Sequence, residues 1–260
     1  MINLAANLSM LFTEAPFESR FALAAKAGFK GVEYLFPYDH KPELLAELLQ
    51  ANGLKHVLFD LPAGNWAAGE RGIAALPMRV SEFREGVGRA LEYAKALDCK
   101  LLTALAGRAP MQRDPEAYEG TMVSNIEYAA KQAAAHGVTI LVEALNRYDI
   151  QDSFLPDTAA VLRVLDKVNA PNVKMQYDIY HLQRAEGNLA ATISEHIRDI
   201  AHFQLADAPA RHEPGSGEIN FNFLLDHIAG LGYDGWIGCE YEPAAGTEAG
   251  LAWAKKWLAN

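Results

Sequence analysis

Eight short apolar runs, separated by longer amphipathic stretches, restrict the folds open to this chain more than any other feature of its sequence. Most of the runs are almost continuously apolar, which is typical of strands that are covered on both faces. The runs are INLAAN (2–7), GVEYLF (31–36), LKHVLF (54–59), CKLLTAL (99–105), VTILVEAL (138–145), VKMQYD (173–178), IAHFQLA (200–206) and GWIGCEY (235–241). Repeated strand–helix–strand units predict parallel strands joined by right-handed crossovers.

The stretches between the runs carry the spacing and the end signals of helices. Residues 79–97 place Val80, Phe83 and Val87 at helical spacing. Asp114 followed by Pro115 is typical of a helix start, because the aspartate can cap the first N–H groups and proline suits the first turn. Glycines close four of the helical stretches, at positions 28, 53, 137 and 232.

These patterns predict a single (β/α)8 TIM-barrel domain over residues 1–260. Such barrels have about 250 residues, close to the 260 of this chain. An open doubly wound sheet would use the same units, but eight runs favour the barrel, and no glycine-rich phosphate motif follows the first run. Since no linker or low-complexity segment interrupts the pattern, we expect one domain.

Charge and composition exclude several classes of partner. The formal net charge is −10, whereas binding to nucleic acid or to an anionic membrane needs a basic face. The first ten residues, MINLAANLSM, lack the features of a signal peptide, and no segment approaches the roughly 20 apolar residues of a membrane span. Cys99 and Cys239 lie in apolar runs and are predicted to be reduced core thiols. We therefore expect a cytoplasmic protein without nucleic-acid or membrane partners.

Four consecutive predicted strands carry a side-chain oxygen near their carboxyl ends, where the active sites of such barrels lie. The four residues are Glu143, Asp178, Gln204 and Glu240. Carboxylates that converge on one mouth repel each other, so we expect a cation among them. Oxygen ligands favour Mg²⁺ or Mn²⁺, with Co²⁺ as a further option, whereas structural zinc sites use cysteine or histidine. The pattern predicts a divalent metal ion bound by these four residues.

Three further residues are predicted to contact a substrate. His181 lies three residues after Asp178, a spacing that returns a helical side chain to the same side. Arg211 and His212 lie in the loop after the seventh run and are placed to bind a substrate carboxylate. The long loop at 60–77, rich in glycine and alanine, resembles a lid that closes over a small ligand.

These motifs resemble those of the hydroxypyruvate isomerase family, one of the xylose isomerase-like TIM barrels, a group that also includes 2-oxo-tetronate isomerases and ketose 3-epimerases. The similar segments span almost the whole chain: AANLSMLFTE (5–14), VEYLFPY (32–38), ILVEALN (140–146), DIYH (178–181), RHEPGSGEIN (211–220) and GWIGCEY (235–241). The resemblance implies that the four strand-end oxygens hold the metal and that Glu143 and Glu240 transfer the proton. The wider group often has histidine where this chain has Gln204, which affects the choice of ion. A homo-oligomer is compatible with the resemblance, because members often form dimers or larger assemblies.

The same residues suit proton transfer between adjacent carbons of a small hydroxy-oxo acid. A metal that chelates the carbonyl and hydroxyl oxygens stabilises the enediolate that forms when the C–H proton leaves. One glutamate removes that proton and the other returns one, which contributes roughly 10²–10⁴-fold to the rate. The resemblance implies interconversion of hydroxypyruvate with tartronate semialdehyde, or isomerisation of a four-carbon 2-oxo-tetronate.

Three other functions remain as alternatives. A ketose 3-epimerase would use the same metal and glutamates on a neutral sugar and would not need Arg211. A barrel endonuclease that cuts at abasic sites needs many histidine ligands and a basic DNA face, which the net charge of −10 disfavours. A catalytically inactive barrel that only binds a ligand would be separated from the enzyme by its metal content.

Overall fold

Eight strands alternate with helices in the computed structural model, which describes residues 2–109 and 114–258. The strands are β1 (Asn3–Asn7), β2 (Gly31–Glu33), β3 (Lys55–Asp60), β4 (Leu101–Thr103), β5 (Thr139–Glu143), β6 (Val173–Asp178), β7 (Ile200–Leu205) and β8 (Trp236–Cys239). They form a closed barrel in the order of the sequence, with parallel pairing. This confirms the predicted (β/α)8 TIM barrel.

The helices follow the strands along the chain. They are α1 (Phe17–Lys26), α2 (Pro42–Ala51), α3 (Val80–Ala96), α4 (Pro115–Ala134), α5 (Thr158–Val168), α6 (Ile179–Ala185), α7 (Leu189–His196), α8 (Phe221–Gly230), α9 (Thr247–Gly250) and α10 (Lys255–Leu258). Short 3₁₀ helices cover Trp66–Ala68, Pro77–Arg79 and Ala252–Ala254. No helix within the described ranges is long and apolar enough to cross a membrane.

Cα proximity divides the chain into two compact units. The first contains Met1–Val57 and Tyr177–Asn260, and the second contains Leu58–Gln176. In the first unit β1 pairs with β2 and with β8, and β7 pairs with β8. In the second unit β3, β4, β5 and β6 pair in that order. This division does not test the prediction of a single domain over residues 1–260, which stays a prediction.

Helix ends and helix faces match the sequence pattern. Asp114 caps α4 by accepting a hydrogen bond from the Ala117 amide at 3.2 Å. In α3 the side chains of Phe83 and Val87 are buried on one face, as their spacing predicts. Gly137, which follows α4, has a φ of 62°, the left-handed conformation that glycine adopts without strain.

Several strands are shorter than the apolar runs predict, and β2, β4, β5 and β8 differ most. β2 ends at Glu33 instead of residue 36, because the Leu35 amide donates to the Ser9 hydroxyl at 3.0 Å and leaves the ladder. β4 covers 101–103 instead of 99–105. An apolar run indicates which residues are buried on both faces of the sheet. Burial continues beyond the last residue that pairs with a neighbouring strand, so the run is longer than the strand.

β8 ends at Cys239, so Glu240 is the first residue beyond it. The Glu240 amide still donates to the Leu205 carbonyl at 3.1 Å, which fixes the backbone at the carboxyl end of the barrel. Cys239 and Cys99 are both buried and neither forms a disulfide, in agreement with the prediction of core thiols.

Candidate active site

Asp178 ends β6 and caps α6 with one of its two carboxylate oxygens. Its Oδ1 accepts from the Tyr180 amide at 2.8 Å and from the His181 amide at 3.3 Å, N–H groups that the first turn of a helix leaves without partners. Its Oδ2 is buried and accepts no hydrogen bond from the described residues. Burial raises the pKa of Asp178, opposed by Arg211 and by the two amides. A buried carboxylate oxygen of this kind is costly unless a cation lies close to it.

Arg211 is the cationic group nearest to this oxygen. Its Nη2 lies 3.7 Å from Oδ2 of Asp178 and donates to Oε2 of Glu240 at 2.8 Å. Its guanidinium carbon lies 5.1 Å from the centre of the Tyr180 ring. One guanidinium therefore lies beside two buried carboxyl groups and is held over an aromatic face.

The pKa of the Glu240 carboxyl group lies close to neutral pH. Burial raises the pKa of this carboxyl to about 8, Arg211 opposes the rise, and the charges of Asp178 and Glu33 add to it. A carboxyl group with a pKa near the working pH can both donate and accept a proton, which suits general acid–base catalysis.

His181 is buried beside Asp178, with 3.8 Å between its Nε2 and Oδ2. Burial lowers the pKa of His181 well below its ordinary value, and Arg211 and Arg184 lower it further. The imidazole is therefore neutral at physiological pH and is no counter-ion to Asp178. A neutral imidazole can still accept or donate one hydrogen bond.

Gln204 belongs to a buried cluster around Glu33, which we call the Glu33 cluster (Asn7, Glu33, His202 and Gln204). Glu33 is fully buried and accepts from Asn7 at 3.0 Å, from Gln204 Nε2 at 2.8 Å and from His202 Nε2 at 2.7 Å. Asn7 also donates to Oε1 of Glu240 at 3.3 Å. The cluster therefore links residues at the carboxyl ends of β1, β2, β7 and β8.

Asp207 organises the loop that carries Arg211. Its Oδ1 accepts from the amides of Ala208 and Ile219, each at 3.0 Å. Its Oδ2 accepts from the amides of Gly215 at 2.8 Å and Gly217 at 2.9 Å. Four backbone donors on one buried carboxylate fix a loop that has no strand or helix of its own.

Arg211 is also held through its backbone. Its amide donates to the Asp207 carbonyl and its carbonyl accepts from the Glu242 amide, both at 2.9 Å. Arg211 has a φ of 58°, an uncommon conformation for a side chain of this size. His212 directs its Nδ1 to the Glu242 carbonyl at 2.7 Å, so this ring nitrogen anchors the loop.

Glu143 lies at the end of β5 in the second unit and is buried. In the ladder it stands opposite Gln176, which is hydrogen-bonded to Thr103. The turn that follows β5 is fixed by Asn146, whose side-chain oxygen accepts from the Tyr148 and Asp149 amides, each at 3.0 Å. Glu143 is therefore carried by a strand end and a defined turn.

The structure brings five of the predicted site residues into one connected group, joined in part by residues that sequence reasoning missed. Arg211 touches Glu240 and Asp178, His181 adjoins Asp178, and Gln204 connects to Glu240 through Glu33 and Asn7. The missed members are Asn7, His202 and Asp207. Strand periodicity gives a signal for His202, because it lies two residues before Gln204 and faces the same side. The sequence signal for Asp207 is weaker: it consists of Gly215 and Gly217, whose amides donate to the Asp207 carboxylate.

Comparisons with known proteins agree with this architecture. The family model of xylose isomerase-like TIM barrels matches residues 21–257. The chain is 47% identical over 253 residues to a hydroxypyruvate isomerase of Escherichia coli, covering 97% of this chain and 98% of the relative. It is 46% identical over 258 residues to a 2-oxo-tetronate isomerase of Pectobacterium atrosepticum, covering 99% and 98%. A crystal structure from Brucella melitensis, described as an AP endonuclease of family 2, has a TM-score of 0.97 at 46% identity over 99% of both chains.

Proposed function

Because the chain belongs to the family of xylose isomerase-like TIM barrels, we propose that it interconverts the aldose and ketose forms of a short 2-oxo acid. The chain is an isomerase, like the relatives that are 46–47% identical to it over almost their whole length. We propose hydroxypyruvate, with tartronate semialdehyde as its isomer, or a four-carbon 2-oxo-tetronate as the substrate. These are the compounds after which the two relatives are named.

The observation that carries this proposal is the contact between Arg211 and Glu240. An oxo acid brings a carboxylate, which a guanidinium binds through charge-assisted hydrogen bonds. Arg211 is fixed by the loop of Asp207, and its Nη2 lies 2.8 Å from the carboxyl group of Glu240, whose pKa is about 8. A carboxylate binder and a proton-transfer group thus stand side by side.

The residues fit the divalent metal that the family resemblance implies. Asp178 has a buried oxygen that accepts no hydrogen bond from the described residues, and Gln204 turns its amide nitrogen toward Glu33. Glu143, Asp178 and His181 are buried and each offers a ligand atom to a cation. We propose Glu143, Asp178, Gln204 and Glu240 as the ligands and Mg²⁺ or Mn²⁺ as the ion, with Co²⁺ as an option. When bound, the ion would stabilise negative charge on the substrate oxygens.

In the proposed reaction Glu143 and Glu240 move one proton between neighbouring carbons. One glutamate takes the proton from C3 of hydroxypyruvate, and the C3 hydroxyl proton passes to the oxygen on C2. A glutamate then returns a proton to C2, which leaves an aldehyde at C3 and a hydroxyl at C2. Arg211 would hold the carboxylate at C1, with His181 and His212 as the other proposed substrate contacts.

Steady-state turnover of a substrate panel tests the proposal. Hydroxypyruvate, a 2-oxo-tetronate and a neutral ketose are each assayed with added Mn²⁺ and with a chelator. We expect metal-dependent turnover of an oxo acid, and a loss of at least roughly 100-fold in kcat for Glu143→Gln and Glu240→Gln. Glu92→Gln, an exposed glutamate of α3, serves as the matched control and should keep full activity. Turnover of the ketose alone would replace the proposal with a 3-epimerase.

Cleavage of DNA at abasic sites is a second candidate, favoured only by the description of the Brucella melitensis structure. The net charge of −10 disfavours it, because contacts with DNA phosphates need clustered Lys and Arg. We expect no cleavage of a duplex with one abasic site at low salt, with the same metals and enzyme concentration as in the isomerase assay. Cleavage that Glu240→Gln abolishes would favour the endonuclease.

A further inference from the structure

Glu33 is a charged group in the interior of the barrel, where burial carries a large penalty. Its carboxylate is fully buried, and three donors compensate it: Asn7, His202 and Gln204. A buried ionic group is often no better for stability than apolar residues of similar volume, so stability alone is a poor reason for this arrangement. The cluster is therefore a candidate for a role in the site.

Strand β8, which is separated from β2 by β1 in the barrel, makes room for this carboxylate. A Cβ atom at Gly238 of β8 would overlap the carboxylate oxygens of Glu33, so any larger residue at 238 would displace it. Gly238 lies two residues before Glu240, which is the first residue beyond the end of β8. The space that a side chain would take at position 238 is filled by the Glu33 carboxylate.

The hydrogen bonds of Glu33 decide which way two amides point. A carboxylate only accepts, so Gln204 must present its NH₂ to Glu33, which directs its carbonyl oxygen away from Glu33. Two hydrogen bonds orient the Asn7 amide: its oxygen accepts from the Ser9 amide at 3.0 Å, and its nitrogen donates to Glu33. The same nitrogen reaches Oε1 of Glu240 at 3.3 Å. A metal ion binds the oxygen of an amide, so this orientation matters for a ligand.

We propose that Glu33 is a positioning residue for the metal site: it turns the oxygen of Gln204 toward the ion and, through Asn7, holds the carboxylate of Glu240. The inference rests on the proposed function, in which Gln204 and Glu240 are metal ligands. Glu33 itself is not a ligand, since its oxygens are occupied by Asn7, Gln204 and His202. Groups behind metal ligands typically contribute roughly 10- to 100-fold to metal affinity.

The test is Mn²⁺ binding to the chelator-treated protein, followed by the electron paramagnetic resonance signal of free Mn²⁺. In Glu33→Gln the new amide can offer either end to Gln204, so the orientation is lost while the shape is kept. We expect the Kd for Mn²⁺ to rise by roughly 10- to 100-fold. Glu14→Gln is the control, because Glu14 is also hydrogen-bonded, to Thr247, but stands outside the cluster.

A paired substitution separates positioning from general damage. In the double variant Glu33→Gln with Gln204→Glu, the new amide at position 33 can donate to the new carboxylate at position 204, and an oxygen ligand is restored. We expect this double variant to bind Mn²⁺ at least as tightly as the unchanged protein. In Gln204→Glu alone two carboxylates face each other, so we expect a lower unfolding temperature and no gain in affinity.

The outcomes separate the inference from the proposed function. The positioning role is overturned if the Kd of Glu33→Gln for Mn²⁺ stays within about twofold of that of the unchanged protein. It is also overturned if the double variant binds Mn²⁺ no more tightly than Glu33→Gln alone. Absence of Mn²⁺ binding by the unchanged protein overturns both the metal site and the role of Glu33. Binding that depends on Glu33, without turnover of any oxo acid, sustains the inference and contradicts the proposed substrate.

Discussion

At the scale of single residues, Arg211 determines how the buried carboxylates are balanced. Its guanidinium donates to Glu240 at 2.8 Å and lies 3.7 Å from Asp178, while its side chain remains 25% exposed. It is thus accessible to a ligand from one side and bound on the other to Glu240, the proposed proton-transfer group. A substrate carboxylate would compete with Glu240 for the same donors, which would change the surroundings of Glu240 during catalysis.

Arg211→Ala should separate an oxo-acid isomerase from an enzyme that acts on a neutral sugar. Loss of charge-assisted hydrogen bonds to the substrate is expected to lower kcat/KM for the oxo acid by about 10- to 100-fold, mainly through KM. Arg163→Ala on α5, an exposed arginine, is the control and should leave the kinetics unchanged. An unchanged KM in the Arg211 variant would remove this residue from the substrate contacts.

Glu240 should make the stability of the metal-free protein depend on pH. Its pKa rises from 4.5 to about 8 on folding, chiefly through burial, so the folded state keeps a proton that the unfolded state loses near pH 4.5. The favourable contribution of Glu240 to the free energy of unfolding is therefore present below pH 4.5 and is lost as the pH rises to about 8. The variant Glu240→Gln is the reference, because it has no ionisable side chain at position 240. The raised pKa of Asp178 affects the stability of both proteins.

Thermal unfolding of chelator-treated protein at about pH 5, 6, 7 and 8 measures this effect. We expect the unchanged protein to lose stability relative to Glu240→Gln as the pH increases across this range. A difference in Tm that stays constant, or that changes in the opposite direction, would show that Glu240 does not keep its proton in the folded state.

At the scale of elements, the loop between β7 and α8 shows how a segment without regular structure can be rigid. The Asp207 carboxylate accepts four backbone N–H groups, and a Cβ at Gly217 would overlap the Ala208 carbonyl. The sequence marked this loop for its cationic residues, Arg211 and His212. It did not reveal Asp207, because the donors of Asp207 are backbone atoms that any sequence possesses.

Asp207→Asn should loosen this loop without changing its length. The amide nitrogen cannot accept, so two of the four backbone donors lose their acceptor, and Arg211 is held less firmly. We expect trypsin to cut after Arg211 at least several times faster, and KM for the oxo acid to rise more than kcat falls. Asp226→Asn on α8, an exposed residue, is the control. Equal cleavage rates would mean that other contacts hold the loop.

The loop at 60–77 divides into an anchored part and a tip. The Ala74 and Ala75 amides donate to the carbonyls of Leu105 and Ala106 at 3.2 and 2.9 Å, and Asn125 donates to the Ala74 carbonyl at 2.9 Å. The tip at 64–71 is half-buried or exposed. The lid therefore stays a prediction, and it concerns the tip, because the anchored part is tied into the second unit.

At the scale of the whole molecule, the fold could be predicted from the sequence because eight apolar runs and their helix-end signals repeat regularly. The ends of β2 and β8 could not: the Leu35 amide donates to the Ser9 side chain instead of a neighbouring strand, and β8 ends at Cys239 although its apolar run continues to residue 241. For the site, strand-end oxygens were visible as a pattern, whereas Asn7 and His202 depend on which side chains the barrel register brings together. The cytoplasmic location, the homo-oligomer and the absence of a nucleic-acid partner stay predictions.

Proton NMR of hydroxypyruvate with the enzyme and Mg²⁺ in D₂O tests the proposed proton transfer at carbon. We expect formation of the aldehyde isomer with metal-dependent incorporation of deuterium at carbon, and loss of both in Glu143→Gln and Glu240→Gln. Two-carboxylate proton transfer through solvent-exchangeable groups requires this incorporation. Undiminished exchange in both variants would contradict the assignment of the glutamate pair. Absence of exchange with hydroxypyruvate and with four-carbon 2-oxo acids would contradict the proposed isomerase.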